Sequence, residues 1–121
     1  MKAKIHEFYD EIYRFQWVCI IGGTVQEAID YYTSRLGITT YSPCEKDRNP
    51  DAHFSAYRPF KAGLIWFKDK KSLTTQAAHE CFHATMYLFE RLDMQGPVET
   101  TEEVFAYYMQ WLIKMITKVK R

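Results

Sequence analysis

Residues 76–89, QAAHECFHATMYLF, place the strongest constraint on this chain. Ala77, Ala78, Phe82, Ala84, Met86, Leu88 and Phe89 are what a helix packed in a core contains. His79, Glu80 and His83 break that apolar content. Three ionisable groups inside such a helix are costly unless something satisfies them. The segment therefore calls either for a hydrogen-bonded polar core or for a ligand that all three groups share.

The spacing points to the second. His79-Glu80-Cys81-Phe82-His83 is HExxH, and on a helix residues i and i+4 share one face. His79 and His83 can each turn a ring nitrogen toward one ion, and zinc favours such donors in a tetrahedral shell. Glu80 falls about 100° around the helix, where it can reach a water beside the ion rather than the ion itself. That is the position of a general base in metal-assisted hydrolysis. Cys81 points elsewhere on the helix and reads as a small buried hydrophobe.

A catalytic zinc ordinarily has three protein ligands and an open position. Here the third ligand must come from outside the motif, and His6, His53, Asp93, Glu99, Glu102, Glu103 and the cysteines are candidates. Glu103 stands twenty residues after His83, at the start of the next expected helix, whose beginning lies beside the end of the first if the two run antiparallel. Thr100-Thr101-Glu102-Glu103 also fits a capping box, in which Glu103 turns back to the backbone. On a helical wheel Glu103 falls with Tyr107, Gln110 and Lys114, and Glu102 lies nearer the apolar arc with Met109 and Ile113. Wheel position does not choose between the two carboxylates.

Elsewhere the chain reads as an α+β protein. Its 121 residues suit one domain, 1–121, long enough to bury a core without staples. A net charge of +1 gives no reason to expect nucleic-acid binding, and KDKK (68–71) and KVKR (118–121) read as a solvated loop and a frayed helix end. The longest apolar run, WVCIIGG, is too short to span a bilayer, and the N-terminus lacks a signal peptide's apolar core. Cys19, Cys44 and Cys81 form no CxxC pair and suggest reduced thiols in a cytoplasm.

The predicted order is β-β-α-β-β-α-α. A first strand turns near Tyr9–Glu11. RFQWVCII follows as a central strand. Thr24 caps a helix with Glu27 as capping-box partner, and Gly37 ends it. A loop covers 38–52. AHFSAYRPF and AGLIWFKD read as two strands, antiparallel to each other. Thr74 or Thr75 caps the motif helix, which runs to about Asp93. MQGPVET is a turn, and a last helix begins near Thr101. Trp17, Trp66 and Trp111 are expected in the core, and His53 at the surface.

HExxH followed after about twenty residues by Glu-x-x-Ala at a helix start resembles the glutamate-zincins, or gluzincins. AAHECFHATMYLF with EEVFAYYMQWL, and EFYDEIYRFQWV near the start, are similar to small zincin-like proteins encoded by tailed phages. The resemblance implies a minimal zincin core: a small mixed or antiparallel sheet, an HExxH helix and a following ligand helix. It implies Zn2+ held by His79, His83 and Glu103, with Glu80 catalytic, a peptide or protein as substrate or partner, and the host cytoplasm as location. Gluzincins often carry an Asp four residues after the third ligand; here Tyr107 stands there, and it reads more readily as a packed aromatic than as a hydrogen-bonding one. Zincins commonly pair an extended substrate with the edge strand before the metal helix, the place AGLIWFKD occupies in the sequence. Two functions follow. One is a zinc metallopeptidase-like hydrolase. The other is a catalytically silent zincin-fold module with a structural metal, which the short chain favours because a deep specificity cleft needs added subdomains.

Overall fold

The computed structural model describes residues 3–38, 51–57, 59–94, 99 and 101–118. The loop expected over 38–52, the turn over 94–100 and the basic tail lie largely outside the described residues, as does Cys44. The elements are β1 (Lys4–Asp10), β2 (Phe15–Ile21), α1 (Val25–Leu36), β3 (Ala52–Ala56), β4 (Ala62–Phe67), α2 (Lys70–Arg91) and α3 (Glu102–Thr117). The fold is α+β, in the order read from the sequence. Among the described residues no helix is long and apolar enough to cross a membrane.

The four strands form one mixed sheet in the order β1-β2-β4-β3. β1 and β2 are an antiparallel hairpin, β2 and β4 pair in parallel, and β3 pairs antiparallel with β4. The two inner strands are apolar nearly throughout, because both of their faces are covered. Alternation divides their side chains. Val18, Ile20, Leu64 and Trp66 face α1, with Ala28, Ile29 and Tyr32 against them. Trp17, Cys19, Ile21, Ile65 and Phe67 face α2 and α3, meeting Leu73, Cys81, Leu88 and Leu112. Trp17 and Trp66 are buried, and Trp111 packs partly buried against the second group.

Local signals account for α1. Thr24 and Glu27 make both bonds of the capping box, and Gly37 closes the helix in the left-handed region at φ 72°. Tyr31 and Arg35 then both reach Glu7 on β1, the phenol at 2.7 Å and the guanidinium at 2.7 Å. That pair holds the Glu7 carboxyl below its ordinary range, the Arg35 hydrogen bond first among the causes.

Two features differ from the sequence reading. The cap of α2 is Asp69, whose carboxylate accepts from the Ser72 amide at 2.8 Å, and not Thr74 or Thr75. Those threonines instead return their hydroxyls to the Lys70 and Lys71 carbonyls one turn back. KDKK is not a loop throughout: Lys70 and Lys71 open α2, and although lysines in a first turn oppose the helix dipole, the Asp69 cap and the full burial of Leu73 outweigh them. α3 begins after Thr101, as expected, and Thr100, the cap residue of the Thr100–Glu103 box, lies outside the described residues. Finally, AGLIWF is not the edge strand. Parallel pairing with β2 places β4 inside the sheet and leaves β3 at the edge.

Trp17 lies across Gly63, its register partner on β4. A Cβ at Gly63 would stand 2.6 Å from Trp17 Cζ3 and 3.3 Å from a Phe54 ring carbon. The indole cannot yield, because it is fully buried and its N–H is held by Tyr108 Oη at 3.0 Å. Gly63→Ala is therefore expected to cost about 1–3 kcal/mol, read as a lower urea midpoint with an unchanged slope.

Candidate metal centre

On α2 the side chains at 77, 81, 84 and 88 enter the core, and the opposite stripe carries His79, His83, Met86 and Glu90 at helical spacing. Both histidines are exposed, and Glu80 is buried at 7 %. The three groups are thus not enclosed together: the cost of burial falls on Glu80 alone.

The imidazoles converge. Their Nε2 atoms are 3.1 Å apart, with ring planes at 81°. Two nitrogens bound to one tetrahedral zinc at about 2.0–2.1 Å stand about 3.3 Å from each other, so the pair is spaced for a shared ion. The same distance also suits a hydrogen bond between two neutral rings, one Nε2–H donating to the other's lone pair. Glu80 Oε2 lies 3.9 Å from His79 Nε2, beside the pair rather than between its members. Burial raises the Glu80 carboxyl above its ordinary range, and the two imidazoles only partly oppose that.

These groups open into a cavity of about 490 Å³ between α2 and β3. Phe54, Tyr87 and Met86 give it apolar walls, and Glu90 stands farther along the helix. Met86, expected in the core, is 38 % exposed, and Tyr87 and Glu90 were not singled out in the sequence, although 79, 83, 86 and 90 form one helical stripe. His53 also lines the cavity, but its register partner is Trp66, so the pleat directs its side chain to the α1 face.

The remaining candidates fall as follows. Among the described residues no three His, Cys, Asp or Glu side chains gather around a common point. Glu102 and Glu103 are both exposed in the first turn of α3, and neither lines the cavity. Phe105 fixes the direction of that turn, packing between Phe82 and Phe89 of α2 at 5.4 and 5.1 Å. At about 100° per residue, Glu102 is roughly 60° from Phe105 and Glu103 roughly 160° from it. Glu102 is the carboxylate on the α2 side. Tyr107 is 65 % exposed rather than packed. His6 stacks on Phe8 of β1, at the far edge of the sheet from β3. Asp93 and Glu99 lie in the turns after α2, away from the cavity lining. Cys19 and Cys81 are buried free thiols, and burial pushes the Cys81 thiol up to about 12, the wrong direction for a thiolate ligand.

The chain matches no protein-family model, no curated protein and no solved structure. The geometry of α2 and its cavity therefore carries the functional reading.

Glu80 gives that geometry a pH signature. A carboxyl whose folded pKa is raised contributes stability below its unfolded pKa and loses it as pH rises through the folded value. Ionised Glu80 is then a cost at neutral pH that an uncharged isostere avoids. In metal-free protein Glu80→Gln is expected to raise the thermal midpoint near pH 7, with the gain vanishing by about pH 3.

Proposed function

We propose that the protein is a zinc-dependent, metallopeptidase-like hydrolase centred on His79, Glu80 and His83. The observation that carries this reading is the 3.1 Å convergence of two Nε2 atoms beside a buried carboxylate. His79 and His83 supply two ligands. For the third, Glu103 is the residue the family resemblance implies, and Glu102 is the one on the α2 side of α3. Zinc held there supplies Lewis acidity, lowering the pKa of a water and polarising a carbonyl.

The chain's own residues do the rest. Glu80 takes the proton of the attacking water on its carboxylate, holds it, and passes it to the leaving amine. Its raised pKa suits it to both halves of that transfer. Phe54 and Tyr87 limit water on one side. β3, the terminal strand of the sheet order, borders the same cavity, and an extended peptide adding to that edge would cross the histidine pair.

A second reading is a zincin-like binding module in which the metal is structural or vestigial. It is favoured by the exposure of both histidines and by the lack of a gathered third donor among the described residues.

Protein expressed with ample zinc is expected to hold about one ion per chain, and His83→Ala to lose it; a metal-free wild type under those conditions rejects the site. Glu102→Gln and Glu103→Gln, compared for zinc affinity, identify the third ligand. Against a peptide library, Glu80→Gln is expected to keep the zinc and lose about 10²–10⁴-fold in kcat. Zinc retained with no hydrolysis by either form selects the binding module.

A further inference from the structure

A second cavity, of about 680 Å³, lies between the turn of the β1–β2 hairpin and the first half of α3. Of the nine described residues that line it, five are Tyr or Trp, two are acids and none is a base. Tyr13, Tyr108 and Trp111 form a continuous wall: Tyr108 meets Tyr13 at 5.7 Å and Trp111 at 5.4 Å between ring centroids, at 50° and 55° between planes. Tyr107 stands at the mouth, 65 % exposed, while Tyr9, paired with Gln16, borders the cavity from β1 with its ring directed to the other face of the sheet. Arg14, the nearest base in the hairpin turn, does not line it.

At the floor is Asp10, 5 % exposed. Its Oδ1 accepts from the amides of Ile12 and Tyr13 at 2.9 and 3.2 Å, and its Oδ2 accepts from the Tyr108 hydroxyl at 2.6 Å. All three donors are neutral. Among the described residues no Lys, Arg or His forms an ion pair with it. Buried charges are ordinarily paired with an opposite charge; here the hydrogen bonds are met and the charge is not.

From this the geometry points to a binding site for a quaternary ammonium group, with Tyr13, Tyr107, Tyr108 and Trp111 as walls and Asp10 and Glu11 as the negative field. The ring faces attract a cation through their quadrupoles. The carboxylate chemistry selects which cation. Asp10 is buried with both oxygens already accepting, so the exposed Glu11 is the one carboxylate left to a primary ammonium, whose three N–H donors would exchange most of their water for ring faces. A quaternary ammonium donates no hydrogen bond and needs only π faces and a nearby negative field. The head group could belong to a small choline-like molecule or to a trimethylated lysine of a protein. This site is separate from the histidine pair and does not depend on zinc.

The test is an NMR titration of the intact chain, following indole and amide signals of the hairpin turn and α3. Three probes are compared: choline, its uncharged carbon isostere 3,3-dimethylbutan-1-ol, and a short peptide bearing trimethyllysine beside the same peptide with unmodified lysine. The expected result is saturable shifts at Tyr13, Tyr107 and Trp111 with choline, at least about 10-fold tighter than with the isostere. Tyr107→Ala, at an exposed position, should weaken choline about 3–30-fold while Tyr107→Phe retains it. Glu11→Gln should weaken it with no change in fold. Trimethyllysine peptide bound more tightly than choline, and unmodified peptide not, supports the same site and assigns its source to a protein. Equal affinity for choline and the isostere, or no saturable shift with choline and the trimethyllysine peptide alike, overturns the inference.

Discussion

The structure turns on one buried hydrogen-bond chain, Trp17 Nε1 to Tyr108 Oη to Asp10 Oδ2, at 3.0 and 2.6 Å. It ties a central strand, the last helix and the hairpin turn together. Each member is placed by something else: Trp17 by the absence of a side chain at Gly63, Asp10 by the two turn amides it accepts, Tyr108 by the apolar face of α3. Tyr108 stays a phenol, since burial and then the Asp10 carboxylate push its pKa far up. It therefore always has the proton that the chain needs. Three residues before it on the same helical face, Phe105 wedges between Phe82 and Phe89. The seating of α3 on the sheet thus also fixes α2, and with α2 the imidazoles beside Phe82.

What the sequence disclosed follows the range of the interaction responsible. The α1 capping box and Gly37 need only neighbours in the chain, and both were legible. So was the burial of β2, whose run of apolar residues has no polar face to offer water. Strand order is different. FQWVCII and AGLIWF are equally apolar, and nothing within either says that they pair in parallel across α1, which moves β4 inward and gives the edge to β3. The cap of α2 was missed for a local reason: two lysines beside Asp69 looked like solvated loop, although Asp69 itself was the signal.

The motif helix shows the same division. HExxH guaranteed that His79 and His83 would share a face, and they do. Which face was hidden, because the helix is apolar around most of its circumference. Ala78, Phe82 and Met86 lie on the outer side with the histidines, while Ala77, Cys81 and Ala84 go inside. A helix with one clean apolar stripe would have shown the imidazoles as exposed. Wheel position likewise could not separate Glu102 from Glu103; the contact of Phe105 with α2 does, by giving the wheel an orientation.

The two buried carboxylates among the described residues, Asp10 and Glu80, differ in a way that sorts their roles. Asp10 gives both oxygens to three donors and builds the turn, so its geometry is fixed and its charge acts only as a field. Glu80 has an imidazole 3.9 Å away as its ionic partner, beyond hydrogen-bond length, and desolvation outweighs that attraction. A group held in that balance changes protonation at little cost when a charge arrives beside it. Had Glu80 been capped by backbone amides as Asp10 is, the same HExxH would hold a metal and leave no base free to move a proton. The chemistry proposed for α2 thus rests as much on the hydrogen bonds Glu80 lacks among the described residues as on the nitrogens that converge next to it.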